Sequence, residues 1–206
     1  DLTLAIVAGT ADAATITIDD QATFGQARIW SPGGGTISSS DLGSFDPDGA
    51  DKLVVALGYR ASGTPGFTSV TYNGVAMTEA IQQVADNNRA NTGIFYLDNP
   101  GAAGDLVIST QNSGFGFAVS AFALSGTNPG VGNTASGQAT STSLTVGADS
   151  FVIAQHGVTD NALTLTADSP LTNVLSHAGG NDAGSFASGI ENGVSAGSTS
   201  PSFSGG

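Results

Sequence analysis

Apolar and polar residues alternate along most of the chain, which is the pattern of β-strands that bury one face. Successive side chains of a strand point to opposite sides, so this alternation favours short strands over helices. The sequence contains no convincing amphipathic helix longer than two turns. The predicted strands cover residues 2–7, 15–18, 26–30, 52–59, 69–72, 94–97, 105–110, 115–124, 143–146, 150–156 and 163–166.

Turn-forming residues separate these strands at short intervals. Glycine, proline and asparagine favour the backbone angles of tight turns, and they cluster between the predicted strands. The clearest clusters are at 31–35, 73–74, 99–101, 128–130 and 179–182. Many short strands at this spacing favour an all-β fold, and we interpret it as an antiparallel β-sandwich of jelly-roll type.

The stretch SVTYNGVAMTEAI, residues 69–81, predicts a hairpin. Asn-Gly favours the type I′ turn that joins two antiparallel strands, so the turn is expected at residues 73–74. We expect residues 78–81 to add one helical turn after the hairpin. Four of its side chains are expected to pack against the core, namely Val70, Tyr72, Val75 and Met77.

Three segments recur later in the chain in the same order, which indicates an internal duplication. We therefore expect two related halves, at about 37–126 and 140–206, inside a single domain at 15–206. Each half alone would be a marginal open sheet, so two free domains are not expected. The matched segments are GADKLVVALGYR (49–60) with GADSFVIAQHGV (147–158), TYNGVAMTEAI (71–81) with LTADSPLTNVL (165–175), and YLDNPGAAGDL (96–106) with GIENGVSAGST (189–199).

The halves differ at their last strand. The first continues into FGFAVSAFALSG (115–126), whereas the second reaches only PSFSGG, so a closing strand is expected from elsewhere. The N-terminal strand or arm, residues 1–14, could fill that place within its own chain, or it could cross to a neighbour by strand exchange. The interlocking residues of this arm would be Leu2, Leu4, Ile6 and Val7.

Composition narrows the classes of partner. With 4 Lys+Arg against 17 Asp+Glu the formal charge is −13, which disfavours nucleic acid and anionic membrane surfaces. No run approaches the length of a membrane span, and the apolar start is interpreted as a strand rather than a signal peptide. The absence of cysteine excludes disulfides and thiolate metal sites. A charged fraction of 10% with abundant small polar residues is typical of extracellular and virion surfaces.

Several segments together resemble β-sandwich modules that are repeated in bacterial surface proteins and phage structural proteins. The resemblance covers about 49–203 and rests on LVVALGYR, SVTYNGVAMT, IFYLDNPGAAGDLVIS, FAVSAFALSG and SFVIAQHG. It implies a fold rather than an activity. In similar modules a last apolar strand closes the domain, and this chain departs from that pattern in its second half.

The best candidate for a metal site is the loop DPDGAD. Alternate carboxylates on a glycine-containing loop can wrap Ca²⁺ with oxygen ligands, so Asp46, Asp48 and Asp51 are the candidate ligands. The Gly-Ala-Asp triplet recurs at 147–149 without the upstream aspartates. A structural turn before a strand therefore explains Asp51 as well, and no cofactor is expected beyond this calcium alternative.

Enzymatic chemistry finds little support. His156 and His177 would need a carboxylate such as Asp160 or Asp182 to bind zinc, and they are expected to be surface or edge histidines. The chain has no nucleophile elbow, phosphate-binding loop or His-Glu-x-x-His motif. The acids at 98 and 191 match each other in the two halves, but both precede turns, where solvated acids are common. We expect that the protein is not an enzyme.

Ligand or partner contact requires exposed aromatic and planar polar side chains. Trp30 stands before the glycine-rich loop, where its indole could pack in the core, dock a partner subunit or stack on a sugar. Asn88 and Asn181 lie in predicted loops that could contribute to such a surface. The three tyrosines at 59, 72 and 96 lie in alternating strands and are expected in the core.

The sequence therefore predicts a non-enzymatic structural subunit of an extracellular assembly. Candidates are a virion decoration, tail or fibre protein, including a phage protein, or a cell-surface filament. Its partners would be copies of itself in a homo-oligomer or other structural subunits. The alternative is a glycan-binding adhesin or lectin-like module that contacts surface glycans, and a hydrolase remnant is the third hypothesis.

Overall fold

The computed structural model describes residues 2–3, 16–29, 36–37, 45–61, 66–84, 89–112, 114–159, 163–178 and 184–205. Strands make up 64% of it, in several antiparallel sheets, and the described residues form no helix. The predicted all-β class is confirmed at this level. Accordingly, no helix in the described ranges is long and apolar enough to cross a membrane.

The strands are numbered in chain order. They are β1 (Leu2–Thr3), β2 (Thr17–Ile29), β3 (Thr36–Ile37), β4 (Lys52–Ala61), β5 (Phe67–Tyr72), β6 (Val75–Ala76), β7 (Thr78–Val84), β8 (Ala90–Asp98), β9 (Leu106–Thr110), β10 (Gly114–Ser125), β11 (Leu144–Val146), β12 (Ser150–Val158), β13 (Leu165–Ala167), β14 (Thr172–Ala178), β15 (Ser185–Val194), β16 (Gly197–Thr199) and β17 (Phe203–Gly205).

Two large sheets form the centre of the structure. The first has the strand order β2-β10-β4-β8-β7, and the second has the order β1-β12-β15-β14. Smaller sheets accompany them: β3-β9-β5-β6 in the first part of the chain, and the pairs β11-β16 and β13-β17 in the second. A bridge between Ser141 and Ser202 extends the pairing of the β11 region.

Strand β4 shows how the sheets are layered. All ten of its residues are buried, because the strand is covered on both faces and so reads as a nearly continuous apolar run. Leu53, Val55 and Leu57 pack into a cluster with residues of β5 and β9. Val54 and Ala56, on the opposite face, belong to a second cluster that includes residues of β12 and β15. The two large sheets therefore pack against each other.

Strand β12 has, in the second large sheet, the position that β4 has in the first. Phe151 and Ile153 enter the cluster between the large sheets. Val152 and Ala154 point the other way, into a third cluster with residues of β11, β13 and β17. A buried hydrogen bond of 2.6 Å between the hydroxyls of Ser120 and Ser188 also joins the large sheets. Three apolar clusters thus lie between four layers of strands.

The Asn-Gly hairpin is present where it was predicted. Asn73 and Gly74 have φ values of 48° and 77°, as a type I′ turn requires, and they connect β5 to β6. Tyr72 is fully buried, but Val75 is 55% exposed. The packing prediction is therefore wrong for Val75, which pairs with Tyr72 at the solvent-exposed tip of the hairpin.

The helical turn expected at residues 78–81 is wrong. These residues belong to β7, which pairs with β8 as the last strand of the first large sheet. An edge strand with an exposed polar face can have the same mixture of polar and apolar residues along its sequence as a short helix. The sequence patterns also missed β14 and β15, where serine, glycine and asparagine interrupt the apolar alternation.

The two large sheets share an order of strands. The order β7-β8-β4-β10 in the first has the same form as β14-β15-β12-β1 in the second. Strand β7 is bulged between Glu79 and Ile81, and β14 between Asn173 and Leu175. In the segment pair 71–81 and 165–175, these two bulges fall at matching positions. The likeness of the two parts thus extends from sequence to an irregularity of the edge strand.

In the first matched segment pair, 49–60 with 147–158, the sequence alignment differs by one residue from the alignment of strand faces in the structure. It aligns Val54 with Val152, yet these two side chains lie in different clusters, on opposite sides of their strands. A one-residue slip inverts every face of a strand, so the alignment is corrected by one position. Gly58 then matches Gly157, and a Cβ atom at either glycine would clash with the ring of Phe186.

Candidate functional site

The N-terminal strand pairs with β12 of its own chain. Leu2 lies opposite His156 and Thr3 opposite Gln155, in an antiparallel ladder. Beside β12, β1 takes the position that β10 takes beside β4 in the first large sheet. We call the part of β12 at Gln155 and His156 the acceptor edge. Leu4, Ile6 and Val7 lie outside the described residues, so their interlocking role stays a prediction.

The acceptor edge carries two polar side chains inside an otherwise apolar strand. Gln155 and His156 are both at least 99% buried. By the alternation of β12, Gln155 lies on the side of Ile153, between the large sheets, and His156 on the side of Ala154. The imidazole stacks on Phe203, with ring centroids 5.4 Å apart and an angle of 18° between the planes.

Both side chains are incompletely hydrogen-bonded. The Nε2 atom of Gln155 donates a long bond of 3.4 Å to the carbonyl of His156. Within the described part of the chain, Oε1 of Gln155 and Nδ1 of His156 have no hydrogen-bond partner. Burial lowers the pKa of His156 to about 3, so the imidazole is neutral near pH 7. This part of β12 is therefore polar, buried and uncharged near pH 7.

The two histidines do not form a shared site. His156 lies in the ladder row of Ala187 and Ser176, whereas His177 lies opposite Phe186, one position along the strands. Adjacent positions of a strand face opposite sides, so the two imidazoles are separated by their sheet. The expectation of a surface or edge position is wrong for His156. Burial also lowers the pKa of His177.

The proposed calcium ligands are used in local hydrogen bonds. The carboxylate of Asp46 accepts the N–H of Asp48 at 2.9 Å, and that of Asp51 accepts the N–H of Gly126 at 2.7 Å. Asp46, Asp48 and Asp51 do not form a metal-binding cluster, and no other group of three such side chains does so among the described residues. The structural interpretation of Asp51 agrees with these contacts.

The acids at 98 and 191 hold different partners. Asp98 forms an ion pair with the fully buried Lys52 opposite it, and its other oxygen accepts the N–H of Gly130 at 2.8 Å. The carboxylate of Glu191 accepts the hydroxyl of Thr199 at 3.3 Å. Because Glu191 pairs with Val152, it does not take the place of Asp98 in the second sheet.

The tyrosines at 59 and 72 are core residues, as expected. Both are buried, and burial raises the pKa of each phenol. The hydroxyl of Tyr59 donates to the carbonyl of Asn112, and that of Tyr72 accepts the N–H of Gly104 at 2.8 Å. The ring of Tyr96 is partly buried, with the Lys52 amine 5.2 Å from its centroid.

The three predicted contact residues Trp30, Asn88 and Asn181 lie outside the described residues, but the strands beside them end close together. Ile29, the end of β2, pairs with Gly114, which pairs with Ala61 at the end of β4. A Cβ atom on Gly184, just before β15, would lie 3.1 Å from Cδ of Arg60. The described strand ends next to these three residues therefore lie at one end of both large sheets.

In comparisons with known proteins, no family model, no curated protein and no solved structure matches this chain.

The acceptor edge was not recognised from the sequence. The signal for it was Gln155-His156 inside SFVIAQHG, a polar pair at the end of a run that is otherwise continuously apolar.

Proposed function

We propose that the protein is a non-enzymatic structural subunit of an extracellular assembly. The candidates are a virion decoration, tail or fibre protein or a cell-surface filament, whose copies are joined by β-strand or edge contacts. The observation that carries this proposal is the pairing of β1 with β12. Beside β12 in the second large sheet, β1 occupies the position that β10 fills beside β4 in the first.

The proposal also includes a jelly-roll arrangement of the strands and two related halves of the chain. A jelly-roll arrangement of the first half is supported by the orders β2-β10-β4-β8 and β3-β9-β5-β6, in which early and late strands alternate across two sheets. The two-halves interpretation is supported by the repeated strand order and by the matching bulges. Covered central strands give such a subunit a stiff core, which suits a mechanical role.

Surface chemistry also supports this class. The net charge of −13 repels nucleic acid and anionic lipid, and it keeps free copies soluble. The low proportion of charged residues leaves a surface made mostly of uncharged polar groups, which suits an extracellular or virion location. Association of such copies would depend on backbone pairing and apolar contact rather than on salt bridges.

The test compares the full chain with a version that lacks residues 1–9. Light scattering and thermal melting are recorded over a range of concentrations, with and without added DLTLAIVAG peptide. Large species formed by the full chain, a truncated chain that stays monomeric, and recovery of its thermal stability with the added peptide would support the subunit. A full chain that stays monomeric at every concentration would contradict it.

A glycan-binding module is the second candidate. It is favoured by the convergence of the strand ends beside Trp30, Asn88 and Asn181 at one end of both large sheets. Loops grouped at one end of a β-fold are a common binding surface. A glycan array tests this directly, with Trp30→Ala as the matched variant. Binding that Trp30→Ala abolishes without lowering the melting temperature would favour the adhesin.

A further inference from the structure

We propose that β13 and β17 form an acid-sensitive cover over His156, which opens when the imidazole takes up a proton. The name cover is used for these two strands, Leu165–Ala167 and Phe203–Gly205, which pair with each other outside the second large sheet. Between the cover and β12 lies the third apolar cluster. The inference does not rest on the proposed function, because it concerns a change within one chain that can occur whether or not copies assemble.

His156 lies directly beneath the cover. It is 1% exposed, and its ring stacks on Phe203 of β17 with 5.4 Å between the ring centroids. In the described part of the chain, its Nδ1 atom has no hydrogen-bond partner. A protonated imidazole carries a positive charge and a donor on both nitrogens, so its burial without an acceptor is strongly unfavourable. The closed cover therefore selects the neutral ring.

The described neighbours of His156 offer no charge that would compensate a proton. The side chains beside it in the ladders and in the cluster are uncharged: Leu2 of β1, Ala187 of β15, Ser176 of β14, Leu165 and Ala167 of β13, and Phe203 of β17. Glu191 lies on the same side of the sheet, but four residues along β15 from Ala187, and it accepts the hydroxyl of Thr199. The amino terminus of the chain adds a positive charge that disfavours protonation further.

The first half has an equivalent layer without a histidine. In the corrected alignment of β4 with β12, His156 matches Leu57, which packs beneath β5 and β9. The cluster around Leu57 buries four aromatic side chains, at positions 59, 72, 95 and 117, whereas the cluster beneath the cover buries one, Phe203. Aromatic side chains contribute the largest apolar areas to a core. Less free energy is therefore needed to lift the cover than to lift β5 and β9.

Side-chain hydrogen bonds, rather than a strand ladder, attach the cover to the second large sheet. The hydroxyl of Ser176 in β14 donates to the carbonyl of Leu165 at 2.5 Å, and the side-chain carbonyl of Asn173 accepts the N–H of Ala167 at 3.1 Å. Such bonds can break without disturbing the pairing of β12 with β15.

Asp168, which follows β13, ties the two strands of the cover together. Its carboxylate accepts the hydroxyls of Ser202 and Ser204 at 3.0 and 2.6 Å. Its backbone N–H donates to the carbonyl of Ser202 at 2.9 Å. These contacts join β13 to β17, so the two strands are expected to move together when the cover opens.

Acid should open the cover. Burial lowers the pKa of His156 from 6.5 to about 3 in the closed form, and exposure to water restores the ordinary value. Proton binding therefore favours the open form, so closure is fully supported above pH 6.5 and weakens as the pH falls towards 3. Between pH 7.5 and pH 4 the ratio of open to closed molecules should rise on the order of 100-fold.

Labelling of a single cysteine measures this ratio in the full chain, which has no cysteine of its own. Val152→Cys places the thiol in the cluster beneath the cover, and Val55→Cys places one in the corresponding cluster of the first half. Both valines are completely buried. A disulfide reagent that reacts at acidic pH is used, and each rate is divided by that of a cysteine peptide at the same pH. We expect the divided rate of Val152→Cys to rise about 100-fold from pH 7.5 to pH 4, and that of Val55→Cys to rise less than about threefold.

Histidine variants assign the effect to one imidazole. Adding His156→Leu, which supplies the residue of the first half, should hold the rate of Val152→Cys within about threefold over this range. His177→Leu is the matched control and should leave most of the rise in place, because His177 lies opposite Phe186 on the other face of the sheet. A rise that persists in His156→Leu would overturn the role of the imidazole.

The two cysteines also decide the matter without a histidine variant. A constant rate at Val152→Cys would overturn the cover, because the thiol would then stay buried in acid. Equal rises at Val152→Cys and Val55→Cys would overturn it as well, because acid would then loosen the whole fold. This comparison stands even if a histidine variant does not fold.

Discussion

Lys52 is completely buried, and its ammonium group forms an ion pair with Asp98, the residue directly opposite it in the β4–β8 ladder. The second oxygen of Asp98 accepts the N–H of Gly130 in the segment that follows β10. The backbone of Asp51, next to Lys52, accepts the N–H of Asn99 at 2.7 Å. One charged pair therefore ties two central strands to the segment between β10 and β11.

Removing the carboxylate from this pair should destabilise the protein strongly. We expect Asp98→Asn to lower the free energy of unfolding by about 3 kcal/mol, because a buried ammonium loses its counter-charge. The double variant Lys52→Met with Asp98→Asn removes both charges and should recover part of that loss. Urea denaturation measures both, and an Asp98→Asn variant as stable as the wild type would contradict the burial of the pair.

Stability should depend on pH through His156. The folded pKa is about 3 and the unfolded value 6.5, so the unfolded chain binds a proton that the folded chain does not. The contribution of the neutral imidazole to stability is therefore complete above pH 6.5 and is lost as the pH falls towards 3. The melting temperature of His156→Leu should therefore rise relative to that of the wild type as the pH is lowered from 7 to 4.

The difference between the two melting curves is the informative quantity, since effects of pH that both proteins share cancel in it. His177→Leu is the matched control, because His177 is less buried than His156 and should give a smaller change. A difference between wild type and His156→Leu that stays constant with pH would mean that the imidazole is not buried in solution.

Gly58 and Gly157 lie against the ring of Phe186, and neither position should accommodate an added methyl group. We expect Gly58→Ala to lower the free energy of unfolding by about 1–3 kcal/mol, because its Cβ would overlap the phenyl ring. Phe186→Leu is less stable on its own, but the double variant should lose less than the sum of the two. Additive losses in a double-mutant cycle would show that the two sites are not in contact.

Asp51 should stabilise the protein without calcium. We expect Asp51→Ala to cost about 1–2 kcal/mol, since the N–H of Gly126 loses its acceptor. The exposed Asp48→Ala should change stability by less than about 0.5 kcal/mol. Calcium or EDTA should leave the melting temperature of the wild type unchanged. A rise with calcium that Asp51→Ala abolishes would restore the metal site.

Strands with a clean apolar pattern were predictable from the sequence. LVVALGY and SFVIA gave β4 and β12, and Asn73-Gly74 gave the hairpin, because each signal is local. Strand β15 was missed because SFASGIENGV buries serine, alanine and glycine, which carry little hydrophobic signal. Strand β14 was missed because the exposed and half-buried residues of TNVLSHA do not alternate. Residues 78–81 were misassigned because their pairing with β8 outweighs local preference.

The candidate site was less predictable than the fold. Comparison of the matched segments predicted a closing strand from elsewhere in the chain, but it gave no register for β1. Which residues face Thr3 depends on a one-residue displacement between β4 and β12, after which the two glycines that lie against Phe186 match each other. Lys52 gave no sign of burial, because its counter-charge at Asp98 is distant in sequence.

The pairing of Leu2 with His156 has a consequence for how the chain is made. On the ribosome, β1 is synthesised long before β12, so the nascent protein carries a strand whose partner does not yet exist. Contacts between such distant parts of a chain form slowly. Closure of this sheet by β1 is therefore expected to be a late folding step, after the rest of the second large sheet has formed.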